Sequence, residues 1–562
     1  MIRIPVLLIL TLLTSPVRIL VTLRSWLTRR KHTVLVWTIG SGRKPLDAKG
    51  FTRIMAGLEA LEADGRVGGL RIEVRSLPLG LAQVYALHER LLAVKASGTM
   101  VEVHLNSMSD GTLLLASAAS RISMCPAGEV FLSGVARPVR FYGQGLEDVG
   151  ISVDLESAGA YKSFGEAYTR SLPTVENRSA MSHLLSDIYR QWLDAVSSAR
   201  DIGISVVEDA LNASPLSADD AQAAGLIDAV AYEDEDWDRW EEQLGKEPKK
   251  VAFETYAGRM RLLSRLPWPR RRRKTVAVLH LNGPVVERRG QLPRSGPMIA
   301  SDDVVPALDR LLDQDAVDAV VLAVNSPGGS ALASDLIARR VEALSEVKPV
   351  LAVMGNVAAS GGYYISAVAR EIWAHPATVT GSIGVVGGKV VLGPALSRFG
   401  IQTTWMGPGK DPGMMTPDAR FSEDQRRRFR ESLQRVYTRF IDVVARGRGM
   451  SPEAIEPVAQ GRVWTGAQAL EHGLVDQLGG LREGVDRAAE LAGAKPGRFR
   501  VQSIWFSPPK LAMLTQAVGA RGPSVVDWAG PLLGSDRLVV EALYSSPGEP
   551  LTLSVDGASW SP

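Results

Sequence analysis

Cysteine is all but missing: Cys125 is the single one in 562 residues, so an internal disulfide framework cannot hold the fold together. Its setting, Ser123-Met-Cys-Pro126, reads as a strand end with no basic group beside it, which favours an inert buried thiol over a nucleophile. Histidine is scarce as well. None of His32, His88, His104, His183, His280, His375 and His472 has an acid at a telling spacing, and His375, in Glu371-Ile-Trp-Ala-His-Pro376, reads as structural. A Ser/His/Asp triad therefore finds no support. Long apolar stretches are few, and a mean hydropathy of +0.03 leaves little room for several membrane spans. Basic residues interleaved with aromatics, or set out as a recognition helix, do not occur, which argues against nucleic acid as a partner.

What is present is ordinary for a folded body, at 45% hydrophobic and 22% charged residues. The chain is too long for one hydrophobic core, so two domains with short extras are expected. Its net charge of +3 is unevenly spread. Residues 1–31 hold Arg3, Arg18, Arg24, Arg29, Arg30 and Lys31 and no acid, and residues 255–274 hold a second acid-free basic cluster that includes Arg270 to Lys274. The rest of the chain is net acidic. Basic clusters beside apolar residues suit an anionic membrane surface. In the first of them, the apolar run from Ile4 to Leu13 is too short to span a bilayer, and lengthening it takes in Pro16 and Arg18. A marginal anchor, an interfacial helix and a signal peptide all fit; the missing small-x-small cleavage site favours the first two. The cluster Arg24 to Lys31 would keep the following body on the cytoplasmic side.

The sequence repeats at a constant offset of 250. Leu70 to Ser76 lies opposite Val320 to Ser326, and Asn106, Gly111, Pro126, Ala127, Gly134 and Val135 lie opposite Asn356, Gly361, Pro376, Ala377, Gly384 and Val385. Farther on, Gly225-Leu-Ile-Asp228 parallels Gly473-Leu-Val-Asp476. Two copies of one domain is the economical reading. Within each copy, short apolar runs such as Thr275 to Leu281 alternate with helix-length segments such as Ala331 to Leu344. That alternation predicts an α/β fold built of βαβ units on a largely parallel sheet.

Chemistry concentrates in the second copy. Asn325-Ser-Pro-Gly-Gly-Ser330 follows a buried strand, and Gly355-Asn-Val-Ala-Ala-Ser360-Gly-Gly comes thirty residues later. A serine entering a helix ahead of two glycines can present its hydroxyl at the sheet edge, with the N–H behind it aimed at a developing oxyanion. The Gly328-Gly329 turn can offer a second N–H. Taken alone, Ser-Gly-Gly is as well explained by a helix cap; two glycine-rich elements in register shift the balance. The nucleophile needs a base, and Lys162 in Glu156-Ser-Ala-Gly-Ala-Tyr-Lys-Ser-Phe is the remaining candidate, since desolvation among small and aromatic residues lowers a lysine pKa.

These residues resemble the signal peptide peptidase (protease IV) family in its long tandem bacterial form. Asn325 to Ser330, Ala359-Ser-Gly-Gly-Tyr-Tyr364, Thr380-Gly-Ser-Ile-Gly384, Tyr161-Lys-Ser163 and Arg462-Val-Trp-Thr-Gly to Asp476 carry the likeness, over roughly residues 33–490. The resemblance implies two tandem Clp protease/crotonase-like spiral domains with largely parallel sheets. It also implies Ser360 as nucleophile, Lys162 as base, Ser382 as a hydroxyl supporting the lysine, and Gly361 with Gly328 as oxyanion donors. It implies a membrane-bound homotetramer at the bacterial inner membrane, with a periplasmic body, cutting signal peptide remnants and other short apolar peptides without metal or cofactor. The chain is thus read as an anchor or interfacial helix (1–31), a first repeat supplying the lysine (32–254), a basic linker (255–274), a second repeat supplying the serine (275–500) and a carboxy-terminal extension (501–562).

The offset tests the assignment separately. Ser360 corresponds to Asp110 and Lys162 to Pro412, so each copy lacks what the other keeps. Lys410, two residues from the vacated position, is the rival base. Two other functions compete: a crotonase-type acyl-CoA enzyme, which gives Ser360 and Lys162 no role, and an inactive peptide-binding membrane scaffold, against which the intact Ser360, Lys162 and Ser382 argue.

Overall fold

The computed structural model describes residues 32–40, 47–265, 273–289 and 297–506. The described residues form two compact units. One takes those before Arg137 and those of Ser186–Arg272; the other takes Arg137–Leu185 and those from Arg273 onward. A stretch of the first repeat, residues 137–185, thus belongs to the same unit as the second repeat. Residues 1–31, with the expected anchor, and most of the 501–562 extension lie outside the described residues. Among those described, no helix is long and apolar enough to cross a membrane. Of the expected 255–274 linker, residues 255–265 continue the helix Phe253–Arg265, and Lys274 opens a strand.

The first unit is built on a six-stranded parallel sheet, in the order Lys249–Ala252, Thr33–Ile39, Gly69–Val74, Met100–Leu105, Arg121–Met124, Ala229–Val230. Leu70, Ile72, Val101 and Val103 are fully buried from one side, together with Leu58 and Leu87 of the crossover helices. The alternate positions carry charge. Arg71 faces Glu102 across the register and is fully buried. The helix Glu233–Leu244 brings Asp236 to 3.3 Å from Arg71 and Trp240 Nε1 to 2.9 Å from Glu102. Burial raises the Asp236 carboxyl, but hydrogen bonds from His104 and Ser123 and the Arg71 charge outweigh it and leave the group below the usual range. Buried charges survive only when paired in this way.

The second unit holds an eight-stranded sheet. Its main path runs Val463–Thr465, Val379–Gly381, Val350–Ala359, Ala319–Ser326, Lys274–Asn282, Phe499–Trp505, and Glu371–Ala374 pairs with both Val350–Ala359 and Gln477–Leu478. All pairings are parallel except Val463–Thr465 with Val379–Gly381. The start of the expected 501–562 extension is therefore an edge strand of this sheet. Val320, Leu322, Val350 and Ala352 are fully buried, as continuous β-branched and aliphatic runs require when helices cover both faces.

In the same unit, Ser152–Ala158 from the first repeat pairs antiparallel with Val385–Val391. The 26-residue helix Glu423–Arg448 packs against this ribbon, with Phe429 and Leu433 against Gly387. Its amino terminus is capped reciprocally by Ser422 and Gln425, and Gly449 ends it in the left-handed region at φ 64°. Arg426 binds Asp154 and Glu156, and Arg430 reaches Glu156 at 3.0 Å. The ribbon is thereby fixed, and the turn that follows it carries Lys162.

Candidate active site

Ser360 occupies the step between the strand Val350–Ala359 and the helix Gly361–Ala367. Its backbone, at φ 51° and ψ −118°, lies where a side chain is strained by roughly 1–3 kcal/mol. The surroundings hold it there: the Ser360 N–H donates to Gly381 O at 2.9 Å, and its carbonyl accepts from Tyr364 N–H at 2.9 Å. Two glycines follow because nothing larger fits. A Cβ on Gly361 would stand 2.5 Å from Ser334 Oγ, and one on Gly362 2.8 Å from Ser326 O.

Lys162 comes to this serine from the turn after Ser152–Ala158. Its Nζ lies 3.2 Å from Ser360 Oγ, 3.0 Å from Ser382 O and 2.9 Å from Ser382 Oγ. The residue is 6% exposed, and burial alone brings its pKa from 10.5 to about 7; no carboxylate acts on it. A neutral amine has two N–H groups and one lone pair. The Ser382 carbonyl can only accept, so one N–H goes there, and the lone pair and remaining N–H are shared between two hydroxyls. That arrangement can take a proton from Ser360 Oγ. Ser382 itself sits at φ 52°, its N–H donating to Arg462 O at 2.7 Å.

The glycine turn differs from expectation in one respect. Gly328, taken as the second oxyanion donor, has its N–H turned onto Ser326 Oγ at 3.1 Å. Among the described residues the Gly329 and Gly361 N–H groups have no acceptor. A Cβ on Gly361 would stand 3.3 Å from Gly329 N, so the two glycines are close neighbours next to Ser360. Gly328 matters for close approach instead: at φ 109°, its Cβ would stand 2.7 Å from Ser360 Cβ. No pattern in Pro-Gly-Gly-Ser tells which glycine amide is free, because the choice depends on where the Ser326 hydroxyl points.

The rival groups are elsewhere. Lys410 is exposed and donates to Asp424 at 2.9 Å. Pro412, at the lysine-equivalent position, is exposed in the same loop. His375 is buried at a strand end, its Nδ1 accepting from Ala377 N–H at 3.2 Å. In the first unit, Asp110 stands at the position equivalent to the serine, and its carboxylate accepts from Ser133 N–H at 3.1 Å, Ser133 Oγ at 2.9 Å and Gly134 N–H at 3.0 Å. Cys125 is free and half-buried.

Comparison with known proteins agrees with the repeat. The family described as Peptidase family S49 matches twice, over residues 93–246 and 342–495. The chain is similar to "Serine protease SPPA, chloroplastic" of Arabidopsis thaliana, at 30% identity over 89% of this chain and 75% of that protein. It is also similar to "Protease 4" of Salmonella typhi, at 32% identity over 71% of this chain and 65% of that protein. A third relative, "Putative signal peptide peptidase SppA" of Enterococcus faecium, is 34% identical over 47% of this chain and 76% of its own length.

Proposed function

The chain belongs to peptidase family S49 and is a serine peptidase, and from that premise we propose that it cuts peptides with Ser360 as nucleophile and Lys162 as general base. One observation carries the reading: an amine buried without a counter-carboxylate lies 3.2 Å from the hydroxyl of a serine on a strained turn. Structural lysines are placed differently, with the ammonium in water or on a carboxylate. Neutral Lys162 takes the Ser360 proton as Oγ adds to the scissile carbonyl carbon. The resulting oxyanion is met by the Gly361 and Gly329 N–H groups. The lysine ammonium then gives its proton to the departing amine as the C–N bond breaks, leaving an ester on Ser360. Water, deprotonated by the same amine, adds to that ester and releases the acid and free Ser360. Ser382 orients the amine throughout.

The substrates in this reading are short apolar peptides, with cleaved signal peptides as the physiological source; the similarity to the Enterococcus faecium "Putative signal peptide peptidase SppA" and the motifs around Ser360 and Lys162 support this class. The basic segments 1–31 and 255–274 suit a body held at an anionic membrane surface, and the resemblance extends to a homotetramer. A reporter fused after residue 31 tells the periplasmic from the cytoplasmic placement. The chemistry is tested by a fluorophosphonate probe on folded protein. Labelling of Ser360, lost in Ser360→Ala and in Lys162→Ala, is expected; labelling that survives Lys162→Ala removes the lysine from the mechanism.

A further inference from the structure

Four non-glycine residues among those described have positive φ: Asp201, Ser360, Ser382 and Gln460. Strain of this kind persists where the surroundings over-determine it, and it gathers at functional sites. Ser360 and Ser382 meet Lys162 Nζ directly. Gln460, at φ 56°, has no part in the chemistry above, yet it lies against the turn that carries the same lysine.

Its carbonyl accepts from Tyr161 N–H at 2.8 Å, and its side-chain Oε1 accepts from Ala160 N–H at 2.9 Å. Both amides belong to the turn Gly159–Lys162. The approach is so close that a Cβ on Gly159 would stand 2.5 Å from Gln460 C, and one on Gly461 2.6 Å from Lys162 Cβ. Gln460 is itself anchored: Nε2 donates to Glu456 Oε1, and its N–H donates to Tyr437 Oη at 3.2 Å, which in turn donates to Glu456 Oε2 at 3.0 Å. The following residues hold the other side of the amine. Gly461 N–H donates to Ile383 O at 2.7 Å, Arg462 O accepts from Ser382 N–H at 2.7 Å, and the Arg462 guanidinium stacks 4.9 Å from the Tyr161 ring and 4.6 Å from that of Trp464.

We propose that Gln460 is a positioning residue for the general base, its side chain clamping the Gly159–Lys162 turn so that Lys162 Nζ stays between Ser360 Oγ and Ser382. The segment 460–462 then acts as one bracket on both groups that flank the amine. Glycine is the natural occupant of a residue at φ 56°, and the strain of a side chain there is repaid by two hydrogen bonds that glycine cannot make. The charged and titratable groups around the bracket are Glu456, Tyr437, Arg462 and, 3.4 Å from Arg462, His183. A displacement of about 1 Å at the amine breaks the contact with Ser360 and costs on the order of a hundredfold in rate.

The inference rests on the reading of Lys162 as base, so full-length Lys162→Ala is the reference. Gln460→Gly relieves the backbone and removes only the side-chain clamp; Gln460→Met keeps the bulk and removes the same hydrogen bonds. Both are measured for kcat and KM on one apolar peptide, for the acid limb of kcat/KM, and for Tm. The expected result is kcat lowered about a hundredfold with KM within about twofold, an acid limb moved to higher pH as water reaches the amine, and a Tm for Gln460→Gly no lower than the parent's. If both variants keep the parent kcat and acid limb while Lys162→Ala is dead, the positioning role is wrong and the base reading stands. A fall in Tm with unchanged kcat makes Gln460 merely structural and also overturns the proposal. Should Lys162→Ala remain active, the base reading falls and takes this inference with it.

Discussion

Protonating Lys162 should stop the enzyme, and the structure sets where that happens. Burial takes the amine from its ordinary value of 10.5 to about 7 with nothing negative nearby to restore it, a desolvation cost of about 5 kcal/mol. In the proposed mechanism the catalytic form is the neutral one, so kcat/KM should rise with pH and level off above the transition. With a midpoint of about 7, roughly 90% of the amine is neutral at pH 8 and about 1% at pH 5, so activity should fall on the order of a hundredfold between them. The assay is kcat/KM on a peptide without ionisable groups, at fixed ionic strength, from pH 5 to 9. Stability gives a second reading of the same group. A depressed lysine binds more protons unfolded than folded between pH 7 and 10.5, so its penalty is complete below 7, fades between 7 and 10.5, and is gone above that. The stability advantage of Lys162→Met over the parent should therefore shrink by about 2–3 kcal/mol from pH 6 to pH 9. A flat rate profile down to pH 5, together with a pH-independent gap between the two proteins, would show that the amine is solvated or paired and would refute the desolvation argument.

Ser360→Gly should abolish turnover yet raise stability by about 1 kcal/mol, because glycine accepts φ 51° without strain; thermal melts beside a peptide assay check both halves. Asp110→Ala, in the first unit, should cost about 3 kcal/mol, since it orphans the Ser133 and Gly134 N–H groups and the Ser133 hydroxyl; denaturant melts measure it. Lys410→Ala should leave kcat/KM within about twofold of the parent, its exposed pair with Asp424 being screened by water; loss of turnover in this variant would transfer the base to the wrong copy.

Much of this could be read from residues alone where the signal is a pattern. Alternating apolar runs announced the α/β class, and the offset of 250 exposed the vacated positions at Asp110 and Pro412 because repeats preserve register. Patterns fail where side-chain direction decides. The strand Gly69–Val74 gives no hint that Arg71 is fully buried, because the compensating acids, Glu102 and Asp236, arrive from other elements. Gly328 and Gly329 are equivalent in sequence and differ only in which amide the Ser326 hydroxyl occupies. Gln460 has no rule of its own in sequence, since its importance comes from a backbone angle and from a turn 300 residues earlier. Repeat boundaries likewise divide the chain by ancestry, whereas packing groups residues 137–185 with the later repeat.

The antiparallel pairing of Ser152–Ala158 with Val385–Val391 has a consequence for biosynthesis. The lysine turn leaves the ribosome long before its strand partner exists, and Gln460 follows Ala160 by 300 residues. At about 5–20 residues per second, that delay is roughly 15–60 s. Throughout it the amine stays wet and charged, and under the proposed mechanism the unfinished chain has no working base for Ser360. Activity arrives late, when the last pieces of the amine's enclosure emerge.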